Sequence, residues 1–340
     1  MTGTGVNDEL DGSKSKTAVK FTVSNQDIPR GIVLSEEQIE AMPKPHEMTC
    51  EIVQSLAKWK RIMLDRLHVK IGEGIYCDST SIRKGYKGDV THSVVADQYD
   101  FEIKIDESMR NLDQLKTYVQ IIYKIIVDCQ EYIFERYPQI LCHTHESSEW
   151  RLPDNITFIT SQELHDLYPN FGIHERENAA VTRFGAIFII GMGWPMNDGS
   201  IAQEIRSPSY DDWLLNGDII VRHPLTGYRH ELSSMGIRVN AESLTSQLKH
   251  RGVYDKEKDL PFQRAVLNNI LPLSYGGGIG ISRLLMLLLR TSHIGEVQCG
   301  LWHDSHYEQI ADLGGIDIIP DRIIPGFEKH VVDDMDEKHS

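Results

Sequence analysis

The segment that most constrains the fold of this chain is Tyr275–Arg290, which reads YGGGIGISRLLMLLLR. Residues 276–278 and Gly280 are glycines, and they precede Arg283 at the head of the apolar run Leu284–Leu289. Glycine has no Cβ and lets the backbone approach a ligand closely, while a helix start offers unpaired N–H groups and a positive dipole end. An arginine there suits phosphate. The segment therefore predicts either a glycine turn leading into a buried helix or a nucleotide site.

Length, composition and charge bound the class of protein. A chain of 340 residues fits one large domain or two ordinary ones. With 40% hydrophobic residues it can bury a substantial core. The net charge of −15 opposes the basic surface that nucleic-acid binding needs. We therefore expect no nucleic-acid partner.

The sequence also indicates a cellular location. The longest apolar run, Leu284–Leu289, is too short to span a bilayer, and the first residues have no apolar signal core, so we expect no membrane partner. The five cysteines are scattered and lack CxxC spacing, which is typical of reduced thiols in a cytoplasmic protein. Cys142, His143 and His145 are close in sequence, but no other residues complete a metal site, so none is predicted there.

Hydrophobic periodicity predicts a mixture of strands and helices. Strands are expected at 18–23, 93–103, 155–160, 186–191, 218–223, 228–233 and 297–302. Helices are expected at 35–41, 112–137, 161–167, 175–184, 241–251, 262–271 and 281–289. The helix after residue 160 has a capping-box signature in Thr160 and Glu163. In the strand 93–103, alternation places Gln98, Asp100 and Glu102 on one face.

A predicted hairpin carries the most useful geometry. Its two strands, 218–223 and 228–233, are joined by the turn sequence PLTG. If His223 pairs with Tyr228, then Ile220 pairs with Glu231.

The same register pairs Asp218 with Ser233 and places Asp218 and Glu231 on one face as diagonal neighbours. Their Cα atoms would be about 7–8 Å apart. Two carboxylates at that separation can share Mg²⁺ held on nucleotide phosphates. They can equally be solvated acids on an exposed sheet face.

Arginines and carboxylates recur beside the predicted strands and turns. A surface salt-bridge network would explain any pair, but the combination is typical of a site that neutralises polyphosphate with arginines and Mg²⁺. The chemistry that this predicts is activation of a carboxylate by ATP, in which charge on the α-phosphate must be stabilised. The residues are Arg83, Arg206, Arg238, Arg283, Asp211, Asp218 and Glu231.

A series of segments between residues 55 and 302 carries a resemblance to a known family. They are SLAKWKR (55–61), GEGIY (72–76), HSVVADQYDFE (92–102), SQELHDLYP (161–169), RSPSYDDW (206–213), LNGDI (215–219), ELSSMGIRV (231–239), GGGIGISRLLMLLL (276–289) and HIGEVQCGLW (293–302). The chain thereby resembles the ammonia-dependent asparagine synthetases, the AMP-forming aspartate–ammonia ligases related to class II aminoacyl-tRNA synthetases. SLAKWKR, SYDDW and ELSSMGIRV carry the resemblance to the ammonia-dependent enzymes in particular.

The resemblance implies an α+β fold, with a class II synthetase-like catalytic domain built on a mostly antiparallel sheet flanked by helices. It divides the chain into an N-terminal segment, 1–48, a catalytic domain, 49–305, and an acidic C-terminal tail, 306–340. The implied enzyme is a homodimeric ligase that makes asparagine from aspartate, ATP and ammonia, with Mg²⁺. A β-aspartyl adenylate is the intermediate, and AMP and pyrophosphate are released.

The resemblance also implies roles for individual residues. Arg83 would contact the α-phosphate of ATP and the aspartate carboxylate that is activated, and Arg283 the distal phosphates. Asp218 and Glu231 would hold Mg²⁺. The aspartate pocket would be formed by Lys60, Gln98, Asp100, Arg206, Asp211 and Ser234.

Further positions are matched with ATP or with ammonia. The ATP-binding set would be Arg83, Glu231, Ser233, Arg238, Gly278, Gly280 and Arg283. Asp8 is matched with a family aspartate near the ammonia site. Ammonium must lose a proton before it attacks, and either Asp8 or Asp211 is a candidate acceptor. The catalytic set is then Arg83, Asp8, Asp211 and Arg283.

The chain departs from the family pattern in places. The family's first helix and strand, which build its dimer interface, have no counterpart here, so we expect a truncated gene model or a reduced dimer contact. An insertion falls within 25–48, and a family loop is nearly deleted between Trp213 and Leu215.

Two other functions stay open. One is an aspartyl- or asparaginyl-tRNA synthetase relative, which would need an anticodon-binding module and a basic RNA face. The other is a non-catalytic binding or regulatory paralogue, which the intact set of arginines and carboxylates argues against.

Overall fold

A computed structural model describes residues 18–24, 47–83, 89–143, 150–201 and 206–300, together with positions 302, 307, 310 and 318. Several predictions fall outside this part of the chain. They concern Asp8, the helix at 35–41, nearly all of the 25–48 insertion and of the 306–340 tail, the side chains of Cys142 and His143, and His145.

The described strands form two sheets. Strands β1 (Lys20–Ser24) and β2 (Glu47–Glu51) make a small antiparallel pair of their own. The other strands form one seven-stranded sheet in the order β3-β4-β9-β8-β7-β6-β5, in which only β5 and β6 run parallel. Their bounds are β3 (Gly74–Ile82), β4 (Val95–Lys104), β5 (Thr157–Thr160), β6 (Ala186–Ile190), β7 (Asp211–Arg222), β8 (Arg229–Arg238) and β9 (Ser274–Gly280). The expected mostly antiparallel sheet is confirmed.

Helices flank this sheet, and their ends follow the sequence signals. The helices are α1 (Ala57–Arg66), α2 (Leu112–Arg136), α3 (Ser161–Leu167), α4 (Ile173–Phe184), α5 (Ala241–His250), α6 (Tyr254–Glu257), α7 (Pro261–Leu267) and α8 (Ile281–Leu289). At α3 the Thr160–Glu163 capping box is confirmed, since each residue satisfies the other's backbone N–H. At α2 the side chain of Asn111 accepts a hydrogen bond from the Gln114 N–H at 2.9 Å.

The two faces of the sheet bury different cores. Phe188, Ile219 and Met235 pack with residues of α2 in the main core on one face. Ile187 and Ile220 pack with residues of α3 and α4 on the other. Strand β6 is buried at every position, so its side chains alternate between the two cores.

The glycine run is part of the sheet, and the predicted turn is wrong. Residues 276–280 lie in β9, between β4 and β8. The glycines are needed because charged side chains of the neighbouring strands cross over this strand. A Cβ at Gly276 would overlap the Glu102 carboxylate and the Arg238 guanidinium, and one at Gly278 would lie 2.5 Å from Gln98 Nε2.

The hairpin of β7 and β8 forms with one correction to its register. His223 pairs with Tyr228 and Ile220 with Glu231 as predicted, but Asp218 pairs with Ser234, because the register shifts between Ile219 and Ile220. The shift leaves Leu232 as an extra residue, a β-bulge.

The bulge has a packing reason. Leu232 and Met235 are three positions apart and would face opposite sides of a regular strand, yet both are buried in the main core. Because the bulge turns Leu232 inward, its neighbour Glu231 stays on the other face. Near the C-terminus, the predicted strand at 297–302 is also wrong, since the described residues 297–300 form no strand.

Within the part of the chain that the structure covers, no helix has the length and apolarity to cross a membrane.

A matched pair of substitutions tests the reason for the glycines in β9. Gly276→Ala forces a methyl group against buried charges and is expected to lower the free energy of unfolding by about 3 kcal/mol or more. In Gly280→Ala the added methyl group would lie no nearer than 3.5 Å to another atom, the Arg283 Cβ. This substitution is expected to change the free energy of unfolding little. Urea denaturation measures both. Equal stabilities for the two variants would contradict this account.

Candidate active site

A cavity of about 190 Å³ opens at the ends of the central strands. Its lining is rich in charge, because three arginines and two carboxylates lie among polar residues, apolar residues and glycines. The residues that line it are Arg83, Thr91, His92, Ser93, Val95, Ala96, Asp97, Gln98, Arg206, Tyr210, Glu231, Leu232, Ser234, Gly278, Gly280, Arg283 and Ile294.

Arg283 enters this cavity from the first turn of α8. Its Nη1 donates to the backbone oxygen of Glu231 at 3.0 Å, and its Nε donates to that of Thr91 at 3.3 Å. Its Nη2 lies 2.6 Å from the Nε2 of His92. The start of α8 itself is occupied, because Asp97 accepts hydrogen bonds from the backbone N–H and the hydroxyl of Ser282. Arg283, rather than the N–H groups of the helix start, is therefore the group presented for an anion.

Glu231 is the carboxylate that faces Arg283 across the cavity. Its oxygens lie 3.5 Å from Arg283 Nη1 and 3.5 Å from Arg229 Nη2. Arg229 is held in turn by the buried Glu177 of α4. Burial acts to raise the pKa of Glu231, but the charges of Arg283, Arg229 and Arg206 outweigh it and lower this pKa. Glu231 is therefore ionised at neutral pH.

Arg206 joins the remaining polar groups of the hairpin. Its Nη1 donates to the Ser234 hydroxyl at 2.9 Å, and its Nη2 is ion-paired with Asp218. The Asp218 side chain is 5% exposed and does not line the cavity. Asp218 and Glu231 thus lie on the same side of the hairpin, with arginines against both.

Arg83 lies at the end of β3. Its backbone N–H donates to the oxygen of Val94 at 2.8 Å, which continues the pairing with β4 beyond the strand. Its Nε donates to the Gln54 oxygen at 3.4 Å. The strand end thus carries this guanidinium into the cavity opposite α8.

A buried ionic network passes over the glycines of β9, next to the cavity. Lys60 of α1 is ion-paired with Asp100 at 2.7 Å and also donates to the backbone oxygens of Phe101 and Gly277, each at 3.0 Å. Ser79 donates to the other oxygen of Asp100. The ammonium and the carboxylate are thereby satisfied without water.

Arg238 forms the second half of this network. Its Nη2 and Nε lie 2.7 and 3.0 Å from the Glu102 carboxylate, and its Nη1 is bonded to Asp211. Burial acts to raise the pKa of Glu102, but Arg238 outweighs it and the pKa is lowered. At Asp211 burial dominates and the pKa is raised. Lys60 Nζ lies 4.0 Å from Glu102 Oε2, which joins the two halves.

The site residues that the sequence predicted therefore form two groups, those that line the cavity and those that are buried outside its lining. Those that line the cavity are Arg83, Gln98, Arg206, Glu231, Ser234, Gly278, Gly280 and Arg283. Those buried outside its lining are Lys60, Asp100, Asp211, Asp218, Ser233 and Arg238. Asp8 lies outside the described residues.

Sequence reasoning missed residues that the structure makes prominent. His92 and Asp97 line the cavity, and Glu102 is the fully buried centre of the ionic network. The alternation of side chains along the strand did place Glu102 on the same face as Gln98 and Asp100. The sequence therefore held a signal that this carboxylate belongs with them. No periodicity indicated His92, because it precedes β4 in irregular structure.

Solved structures identify the class to which this fold belongs. Asparaginyl-tRNA synthetase from Pyrococcus horikoshii complexed with asparaginyl-adenylate superposes with a TM-score of 0.55 at 12% identity, over 87% of this chain and 64% of that one. Aspartyl-tRNA synthetase from Entamoeba histolytica superposes with a TM-score of 0.52 at 18% identity, over 72% and 50%. The chain thus spans half to two thirds of these proteins' length. The fold is that of the class II aminoacyl-tRNA synthetases.

Sequence comparison narrows the class to a family. A model of the family described as "Aspartate-ammonia ligase" matches residues 1–314. An aspartate–ammonia ligase from Clostridium perfringens is 43% identical over 89% of this chain and 81% of its own length. One from Lactiplantibacillus plantarum is 40% identical over 88% and 84%. The chain belongs to the aspartate–ammonia ligase family and is an enzyme of the ligase class.

The burial of two histidines beside the site predicts how the stability of the protein depends on pH. His230 Nε2 donates to the Arg283 oxygen at 2.8 Å, and the rings of His223 and His230 lie 5.1 Å apart. Burial lowers the pKa of His223 to about 4 and that of His230 to about 3. Unfolding lets both rings take up protons below their ordinary pKa of about 6.5.

We therefore expect the free energy of unfolding to fall as the pH drops from about 6.5 towards 4, with up to about 1.4 kcal/mol per pH unit from each ring. His230→Gln keeps a donor for the Arg283 oxygen and should flatten this slope. The exposed His68, replaced by Asn, is the control and should leave it unchanged. Urea midpoints across the pH range measure the slope, and an unaltered slope in His230→Gln would refute the assignment.

Proposed function

We propose that this ligase makes asparagine from aspartate, ATP and ammonia through a β-aspartyl adenylate, with release of AMP and pyrophosphate. The observation that carries the proposal is the convergence of Arg83, Arg206 and Arg283 on one cavity of a protein in this family. Joining a carboxylate to a phosphate brings negative groups together, and guanidinium groups held in place offset that repulsion.

The ATP end of the cavity is the one beside Arg283. Arg283 has fixed acceptors on three sides and binds the distal phosphates, while Glu231 opposite keeps its donors aligned. Gly278 and Gly280 both line the cavity. The side chain of Gln98 covers Gly278, but the space over Gly280 is open, so a flat ring can lie close to the backbone there. Ser233 donates to the Gly278 oxygen and holds the backbone of this strand, and Arg238 lies over Gly276, next to the cavity lining.

Arg83 stands where the two substrates meet, and it contacts the α-phosphate and the carboxylate under attack. Gln98, Arg206 and Ser234 form the aspartate side of the cavity. Lys60, Asp100 and Asp211 belong to this pocket as its buried support, because their side chains are bonded to one another or to Arg238.

The donor set fits Mg²⁺ only when the ion arrives with phosphate. Glu231 lines the cavity, and Asp218 is joined to it through Arg206. Among the described residues no group of three or more His, Cys, Asp or Glu could hold a metal alone. Mg²⁺ is commonly bound by one or two carboxylates plus substrate phosphates. Asp218 and Glu231 would hold it there, and the ion would neutralise phosphate charge during transfer.

The second half of the reaction needs a proton acceptor for ammonium. Asp211 and Asp8 are the two candidates. The raised pKa of Asp211 makes it a stronger base than an ordinary aspartate, but one of its oxygens already accepts from Arg238. Asp8→Asn and Asp211→Asn variants, compared for their KM for ammonia, separate the two.

The proposal extends to the organisation of the protein. The protein would be a cytoplasmic homodimer with its catalytic domain at 49–305, within the residues 1–314 that match the family. The free thiols of Cys77 and Cys129 are what a reducing compartment would leave.

One assay tests the function. The full chain is incubated with ATP, Mg²⁺, aspartate and ammonium, and AMP and asparagine are quantified. Equal amounts of AMP and asparagine support the ligase. Aspartate-dependent pyrophosphate exchange without asparagine would favour a tRNA-charging relative, and the absence of both would favour a non-catalytic paralogue.

Arg83→Lys gives a sharper test within that assay. Lysine keeps the charge but loses the two-pronged geometry that bridges phosphate and carboxylate. We expect kcat to fall by about 10²–10³-fold. Arg264→Lys, at an exposed position on α7, is the matched control and should retain wild-type turnover. Similar rates for the two variants would remove Arg83 from the reaction.

A further inference from the structure

Arg283 is contacted in the cavity by a residue to which the proposed function gives no role. His92 Nε2 lies 2.6 Å from Arg283 Nη2, and His92 Nδ1 lies 2.9 Å from both carboxylate oxygens of Asp89. A guanidinium only donates, so Nε2 must accept. The ring is therefore neutral, and its proton on Nδ1 is donated to Asp89.

The turn formed by residues 89–92 holds this ring in place. The backbone N–H of Asp89 donates to the His92 oxygen at 3.0 Å, and the Asp89 carboxylate accepts from the Thr91 N–H at 2.8 Å. The oxygen of Val90 accepts from the Ile294 N–H at 2.8 Å, which ties the turn to the segment after α8. Burial acts to raise the pKa of Asp89, but its hydrogen bonds with His92 and Thr91 lower it to about 2. Asp89 thus stays ionised and fixes the tautomer of His92.

We propose that His92 is a positioning residue for Arg283 in the ligase reaction, an assignment that rests on the function proposed above. The guanidinium is bonded to three acceptors in different directions, which are Thr91 O, Glu231 O and His92 Nε2. Three directions define the plane of the group. His92 supplies the only acceptor of the three that is a side chain, and therefore the only one that substitution can remove.

A pair of isosteric substitutions separates this role from a purely structural one. His92→Gln places an amide oxygen where Nε2 lies, so the acceptor for Arg283 is kept and the contact with Asp89 is lost. His92→Asn places an amide N–H where Nδ1 lies, so the contact with Asp89 is kept and the acceptor is lost. Both side chains are small enough to fit the space of the imidazole.

The measurement is kcat and KM for ATP, made on wild type and both variants under the same conditions. His92→Gln should stay within about threefold of wild type, and His92→Asn should lose about ten- to a hundredfold in kcat/KM for ATP. A purely structural role of the ring would not give this difference, in which His92→Gln retains the activity that His92→Asn loses.

Other outcomes overturn the assignment. If both variants match wild type, or if His92→Asn is active and His92→Gln is not, His92 does not position Arg283. Melting temperatures show whether a variant is folded, and His92→Phe, which fills the space without an acceptor, replaces His92→Asn if the latter unfolds. If wild type itself makes no asparagine, the proposed function fails first, and calorimetric binding of ATP to the three proteins then decides the role of His92.

Discussion

The structure depends on the ionic network that crosses the glycine strand. Lys60, Asp100, Glu102, Arg238 and Asp211 are all buried, and Lys60 and Arg238 are ion-paired with the three carboxylates. Removing one partner from such a group leaves an unpaired buried charge, at a cost of about 3–5 kcal/mol. The network is possible only because β9 has no side chains at the positions over which it passes.

The network joins elements that are far apart in the chain. Lys60 belongs to α1, and its neighbour Arg61 donates to the oxygens of Val239 and Pro272, at the end of β8 and just before β9. Helix α1 therefore holds together the strands that carry Glu231 and the glycines. A cavity for negatively charged substrates needs arginines that do not move when the substrates arrive. The ionic network keeps the strands around the cavity, and hence their arginines, in place.

Charged side chains of alternating sign follow one another along the cavity, next to the ionic network. Glu177, Arg229, Glu231 and Arg283 follow one another from α4 to α8, and His92 and Asp89 continue the series. Each cation is offset by an anion or an acceptor, so the arginines are held without substrate.

The sequence by itself determined the class of fold, the family, and the side chains of the site by type. Capping residues, hydrophobic periodicity and local motifs are short-range signals. They predicted α2, α3 and β6 correctly, and they predicted the hairpin with an error in its register at Asp218. Only the tertiary structure decided that residues 276–280 form a strand, since the need for glycine comes from Glu102 and Arg238 on neighbouring strands. It also decided the bulge at Leu232 and the separation of cavity residues from buried support. These features depend on packing between residues distant in sequence, which no local pattern records.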